Sequence, residues 1–116
     1  MQSRLLKQPP PLPLEESTTM VEHIVLIRWT EQASQDAINT VMAELRGLKG
    51  KIDAIVDLSC GANFSERAKG YTHGLVVRLA DRTALDTYIS HPEHQRVVQK
   101  LINPIRADVL ALDYEF

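Results

Sequence analysis

The chain has 116 residues, of which 44% are hydrophobic and 24% are charged, and its formal net charge is −2. This composition is typical of one globular domain that is large enough to bury a core. The chain has no basic stripe that would favour a nucleic-acid surface and no apolar run long enough to span a membrane. Its single cysteine, Cys60, excludes a disulfide within the chain. We therefore expect a cytoplasmic protein that binds neither nucleic acid nor membrane.

The first 19 residues differ in composition from the rest of the chain. They contain four of the six prolines, and their apolar residues follow neither a helical nor a strand period. We predict a proline-rich, extended or disordered lead-in over residues 1–19 and a single domain over residues 20–116.

The domain begins with a stretch that alternates between two apolar faces, Val21 to Trp29. This pattern predicts a strand covered on both sides, with His23 on one of its faces. Ser34 then precedes an apolar stripe of helical spacing that ends near Gly47 and Gly50. The arrangement predicts a helix with Ser34 as its N-cap.

Three further strands are predicted from alternating apolar residues. Residues 52–61 form the second strand, and after a polar loop residues 71–79 form the third, with His73 on an apolar face. Asn103-Pro104 then ends a helical pattern, and residues 107–116 form the fourth strand.

The segment between the third and fourth strands predicts two consecutive helices. Asp81 is an N-cap candidate for the first helix, whose apolar residues include Tyr88. Pro92 requires a break before the second helix, in which His94 lies on the apolar stripe. His91, beside the proline, is predicted to be a turn or capping residue.

The order strand, helix, strand, strand, helices, strand predicts an α+β protein with a ferredoxin-like fold. In this fold a four-stranded antiparallel sheet carries helices on one face, and the first and third strands are adjacent at its centre. His23, His73, Tyr88 and His94 would then face one space between sheet and helices. The opposite face would be uncovered in a monomer, which predicts a homodimer. The apolar residues expected on that face are Ile24, Leu26, Val76, Val109 and Ala111.

Three segments carry a resemblance to a known family over residues 20–116. They are VEHIVLIRW at residues 21–29, GYTHGLVVRL at residues 70–79 and YISHPEH at residues 88–94. The chain resembles the stress-responsive dimeric α/β-barrel proteins, which implies a ferredoxin-like dimer built around a central β-barrel. The family includes a plant enzyme that closes a linear polyketide by an aldol condensation without a cofactor. The resemblance therefore implies a lyase or cyclase without cofactors.

The same residue types suggest the chemistry directly. An aldol or proton-transfer step needs a base that is neutral near pH 7 and a donor that stabilises an enolate oxygen. His94 suits the first role and Tyr88 the second, which makes them the catalytic candidates. His23 and His73 are the substrate-binding candidates, and the expected ligand is a small apolar or aromatic molecule.

Other interpretations remain open from the sequence. The histidines could be core residues whose hydrogen bonds are satisfied, or, starting from the His91 and His94 pair, ligands of zinc, copper or iron. The domain could also be a non-enzymatic stress protein that is simply a stable oligomer or that binds a small ligand. Related barrels include monooxygenases, but no residue pattern here indicates haem or flavin. We expect no metal and no cofactor.

Overall fold

The computed structural model describes residues 19–116, so the predicted lead-in lies outside the described residues except for Thr19. The strands are β1 (Val21–Trp29), β2 (Ile55–Ala62), β3 (His73–Leu79) and β4 (Arg106–Glu115). The helices are α1 (Gln35–Gly47), α2 (Arg82–Ser90) and α3 (Pro92–Arg96). A 3₁₀ turn, Leu48–Gly50, follows α1, and a π-helical segment, Val97–Ile102, continues α3.

The four strands form one antiparallel sheet in the order β2-β3-β1-β4. β1 and β3 are adjacent at its centre, and the helices pack on one face. The predicted ferredoxin-like arrangement is confirmed. Among residues 19–116, no helix has both the length and the hydropathy that crossing a bilayer requires.

Side-chain caps fix the starts of the two longer helices. The hydroxyl of Ser34 accepts a hydrogen bond from the backbone N–H of Ala37 at 3.1 Å, and the carboxylate of Asp81 accepts one from Ala84 at 2.8 Å. Each cap satisfies an N–H group that has no partner within its helix. Both predicted N-caps are confirmed.

The break between α2 and α3 is produced by His91 and Pro92. Pro92 occupies the first turn of α3, where the missing N–H costs nothing, and His91 has an extended backbone with φ −62° and ψ 137°. Its Nδ1 accepts a hydrogen bond from the N–H of Glu93 at 3.1 Å. His91 is therefore a capping residue, as its place beside the proline predicts.

The core lies between the helices and one face of the sheet. Tyr88, Val77, Val97 and Leu79 have no exposed surface, and Leu48 closes the core at the end of α1. Burying side chains of this size contributes about 1.5–3 kcal/mol each. The other core residues are Val21, Val41, Met42, Leu45, Ile52, Ile55, Leu75, Leu85 and Ile102.

β2 departs from the predicted alternation. It begins at Ile55 rather than at residue 52, and the ladder with β3 shifts between Ile55 and Asp57. The irregularity puts Ile55 and Leu58 against the core, while Val56, expected beside Leu58, is 46% exposed. A β-bulge reverses which residues face inward, and alternation alone does not reveal it. β3 begins two residues later than predicted, and β4 one residue earlier.

The face of the sheet away from the helices also needs a correction. Val109 and Ala111 were expected there, but they pair with Ile27 and Val25 and therefore lie on the helix side. In an antiparallel ladder directly opposed residues share a face, so the neighbours of Val109 and Ala111 point outward. The large apolar residues on this uncovered face are Ile24, Leu26, Val76, Leu110, Leu112, Tyr114 and Phe116.

Candidate functional site

A cavity of about 330 Å³ lies between the sheet and the helices α2 and α3. Three of its lining side chains come from three different elements: His23 from β1, Tyr88 from α2 and His94 from α3. Its volume falls at the lower end of the range typical of small-molecule sites, which are mostly apolar with a few polar groups. The apolar lining consists of Val25, Ile27, Leu45, Leu75, Ile89, Val98, Ile102, Val109 and Ala111.

The hydroxyl of Tyr88 is the unusual group in this cavity. The residue is fully buried, and its oxygen has no hydrogen-bond partner among the described residues 19–116. Burial raises the pKa of the phenol well above its ordinary value, so the hydroxyl stays protonated at neutral pH. Leaving such a donor without an acceptor costs about 1–3 kcal/mol. Tyr88 lines the cavity, while its hydroxyl oxygen has almost no surface accessible to water.

The rings of Tyr88 and His94 are neighbours in the cavity wall. Their centroids are 4.5 Å apart, and the ring planes are inclined by 50°. The break at Pro92 allows this contact, because the chain changes direction between α2 and α3. His94 in α3 is thereby placed against Tyr88, six residues earlier in the last turn of α2.

The orientation of His94 is fixed by a backbone group. Its Nδ1 lies 2.8 Å from the carbonyl oxygen of Ile89, near the end of α2 where carbonyls lack helical partners. Since a carbonyl can only accept, Nδ1 carries the hydrogen and Nε2 has the free lone pair. Burial lowers the pKa of His94, which keeps the imidazole neutral at pH 7. The side chain has the properties of a general base.

His23 is paired with an acidic residue that the sequence did not single out. Its Nδ1 contacts the carboxylate of Asp113 on β4, and its ring meets the ring of Tyr88 edge-on at 5.7 Å. Residues 23 and 113 are directly opposed in the β1–β4 ladder. The pairing would have revealed Asp113 only if the register of the two strands had been known.

His73 does not line this cavity, which corrects the expectation that all four side chains converge. Its Nδ1 accepts a hydrogen bond from the indole N–H of Trp29 at 2.9 Å. β3 runs antiparallel to β1, so His73 is opposed to Ile27 while His23 is opposed to Val77. The two histidines are therefore four residues apart along the ladder, roughly 13 Å.

The sequence also did not single out two polar residues that line the cavity. Asn103 and Arg106 line it and are exposed to solvent, which places them at its rim. Asn103 directly follows the π-helical segment, and Arg106 is the first residue of β4. Nothing in their local sequence distinguished them from ordinary turn residues.

A larger cavity of about 390 Å³ lies beside the start of α2. Three of its charged residues have partners, since Arg82 donates to Glu115 at 2.8 Å and Asp113 contacts His23. The cavity around Tyr88 is the better candidate because one of its lining residues is a buried tyrosine whose hydroxyl lacks a partner among residues 19–116. Within residues 19–116 no three His, Cys, Asp or Glu side chains are placed to share a metal ion.

A family model for the stress-responsive A/B barrel domain matches residues 21–116. The chain belongs to this family. Two stress-response A/B barrel domain-containing proteins of Arabidopsis thaliana are each 30% identical to it. The matches cover 82% and 84% of this chain but 36% and 47% of the two relatives. The chain thus spans less than half the length of these curated relatives.

Solved structures of the same fold include proteins described as dimeric. A dimeric ferredoxin-like protein from Thermobifida fusca is 26% identical, with a TM-score of 0.75 over 84% of this chain and 92% of that one. One from Jannaschia is 29% identical, with a TM-score of 0.71 over 84% and 99%. A hydroxynitrile lyase from Passiflora edulis has a TM-score of 0.77 over 84% and 93%, and its 21% identity shows the fold alone.

Proposed function

We propose that this domain is a homodimer that binds a small apolar or aromatic molecule with a carbonyl or phenolic oxygen in the cavity around Tyr88. We further propose that it catalyses proton transfer of the aldol or lyase type there, without a cofactor. The observation that carries the proposal is the buried Tyr88 hydroxyl, which lacks a partner within residues 19–116 and adjoins a neutral imidazole.

The dimer is supported by the uncovered face of the sheet. Four large side chains at alternate positions, three on β4 and one directly after it, are between 46% and 58% exposed: Leu110, Leu112, Tyr114 and Phe116. A contiguous apolar face of this kind favours association, and the most economical assembly places two sheets face to face. The dimeric ferredoxin-like proteins from Thermobifida fusca and Jannaschia support the same assembly.

In the aldol direction, Nε2 of His94 removes a proton from a carbon beside a carbonyl group. The electron pair moves onto the carbonyl oxygen, and the Tyr88 O–H donates a hydrogen bond to the enolate that forms. The enolate carbon then attacks a second carbonyl of the same molecule, forming a carbon–carbon bond. The resulting alkoxide takes the proton back from His94. No electron enters or leaves, so the reaction needs no redox partner.

The lyase direction uses the same two groups in reverse. His94 removes the proton from a hydroxyl group, the carbon–carbon bond to the leaving carbanion breaks, and the carbanion takes that proton from His94. Tyr88 then holds the new carbonyl oxygen. Cleavage of a hydroxynitrile is a reaction of this type, so the Passiflora edulis enzyme of the same fold supports this branch of the proposal.

A ligand-binding role without turnover is the second candidate. It is favoured by the contacts of the two strand histidines, because His23 is paired with Asp113 and His73 accepts from Trp29. Imidazoles with such partners fix the position of their strands and need not act on a ligand. On this view the cavity would store or buffer an apolar molecule.

One experiment separates the candidates. The purified protein is incubated with linear β-polyketones and with aromatic hydroxynitriles, and products are measured by chromatography beside dissociation constants from calorimetry. We expect turnover that His94→Gln abolishes while ligand affinity changes little. The matched control is His73→Gln, which changes a histidine outside this cavity and should leave turnover unchanged. Binding without turnover in the wild type would favour the second candidate, and absence of both would reject the site.

A further inference from the structure

A β-bulge in β4 aims an arginine into the cavity. In the β1–β4 ladder Arg28 is opposed to Asp108 and Trp29 to Arg106, so Ala107 is an extra residue on β4. Regular alternation would place Arg106 on the same uncovered face as Asp108. The bulge instead turns Arg106 to the face of Trp29, where its side chain lines the cavity. Bulges of this kind commonly redirect side chains beside functional sites.

The guanidinium of Arg106 is the one permanently charged group among the described residues that line this cavity. In residues 19–116 its side chain has no ion pair and no hydrogen bond, unlike most arginines of this domain. Asp108, the nearest acidic residue along β4, accepts from Tyr71 at 2.7 Å and lies 4.0 Å from Arg28. The Tyr71 hydrogen bond lowers the pKa of Asp108, and the charges of Arg28 and Arg106 add to this effect although Arg106 forms no ion pair with it. The five N–H donors of Arg106 therefore remain available to a ligand.

Tyr88 and Arg106 reach the cavity near opposite ends of β1. The ring of Tyr88 contacts His23, while Arg106 is opposed to Trp29. His23 and Trp29 are six positions apart in β1, so their backbones are separated by roughly 20 Å of strand. Most of the other residues that line the cavity are apolar, and Asn103, three positions before Arg106, adds an amide.

We infer that the ligand of this cavity is an elongated apolar molecule with a carboxylate at one end, and that Arg106 binds this carboxylate. The guanidinium fork matches the two oxygens of a carboxylate, and a rim position lets the charged group keep part of its hydration. The inference names the substrate class of the proposed site and rests on that proposal. It makes Arg106 a determinant of specificity, separate from the chemistry at Tyr88 and His94.

The test compares ligands that differ only in charge. Hydroxyphenylpropanoic acid and hydroxyphenylhexanoic acid are each titrated beside the corresponding carboxamide, and the dissociation constants are measured by calorimetry at low and high salt. We expect at least one of the two acids to bind about three- to tenfold more tightly than its amide. This difference in affinity should become smaller as the salt concentration rises. The variant R106M should lose this advantage without weakening the amide, while R106K should keep part of it.

The matched control is R67M, which removes an exposed arginine from the loop before β3, outside the cavity. It should leave both constants unchanged. Equal binding of acid and amide by the wild type, or equal weakening of both by R106M, would overturn the inference while leaving the site around Tyr88 intact. If the wild type binds the acid more tightly than the amide but turns over no substrate, the inference about Arg106 stands and only the proposed catalysis is rejected. No binding of either member of any pair would reject the ligand site and the inference with it.

Discussion

Tyr88 and His94 lie with their ring centroids 4.5 Å apart on either side of the break at Pro92, and they share one cavity. The two side chains differ in how their polar atoms are satisfied. His94 donates from Nδ1 to the backbone, whereas the Tyr88 hydroxyl has no partner within residues 19–116. This difference allows the catalytic and structural roles of each residue to be tested separately.

The substitution Tyr88→Phe should leave stability unchanged or raise the free energy of unfolding by up to about 1 kcal/mol, since it removes a buried donor that has no partner. The same change should lower turnover by about 10²-fold or more if the hydroxyl stabilises an oxyanion. Thermal melting and rate measurements check the two effects. The matched control is Tyr71→Phe, outside the cavity, which removes a hydroxyl that donates to Asp108. A large loss of stability from Tyr88→Phe would indicate a structural hydroxyl.

The hydrogen bonds of His94 and His73 predict opposite neutral tautomers. His94 donates from Nδ1 to the carbonyl of Ile89, so its hydrogen lies on Nδ1. His73 accepts at Nδ1 from Trp29, a residue that can only donate, so its hydrogen lies on Nε2. Nitrogen-15 NMR of the imidazole rings at about pH 8 distinguishes the two forms. If His94 carried its hydrogen on Nε2, its Nε2 could not act as the base proposed here.

Activity and stability should both fall as the pH decreases, and for the same reason. Burial lowers the pKa of folded His94 below the ordinary value of 6.5, so between these two pKa values the unfolded chain binds more protons. Stability from this group is therefore complete above about pH 6.5 and is lost as the pH falls through the folded pKa. The rate should decline on the acid side of pH 6.5 as the base becomes protonated.

Denaturant melts and rates of the wild type and His94→Gln between about pH 8 and about pH 5 test this expectation. The variant should show a flatter dependence of stability on pH. Burial also lowers the pKa of His73, so part of the slope should remain in His94→Gln and should become smaller when His73→Gln is added. An unchanged slope in His94→Gln would show that His94 does not contribute to it.

The proposed dimer predicts a large effect of a charge on the uncovered face. Leu112 is 58% exposed in the monomer and is opposed to Ile24, near the middle of that face. In Leu112→Asp two unpaired carboxylates would enter the interface by symmetry, which should raise the dimer dissociation constant at least about 100-fold. Light scattering over a dilution series measures the change.

The control for the dimer is Phe64→Asp, which places the same charge on a fully exposed loop residue. It should leave the assembly intact. A wild type that is monomeric at micromolar concentration, or a Leu112→Asp variant that remains dimeric, would contradict an interface on this face of the sheet.

The sequence by itself determined the order of the elements and the starts of the helices. The caps at Ser34 and Asp81, the break at His91 and Pro92, and the alternation of β1 all depend on residues within a few positions of one another. Such local signals hold wherever the segment lies in the fold, because they reflect backbone geometry and the strand and helix periods. They sufficed for the ferredoxin-like order of elements and for placing Tyr88 and His94 on buried faces.

The tertiary structure alone decided which polar groups meet. Strand register placed Asp113 behind His23 and put His73 four residues away from it, and a bulge directed Arg106 into the cavity. Register and bulges arise from pairing between strands up to ninety residues apart in the chain. A shift of one residue in that pairing moves every side chain of a strand to the other face, and nothing in the local sequence of β4 specifies it.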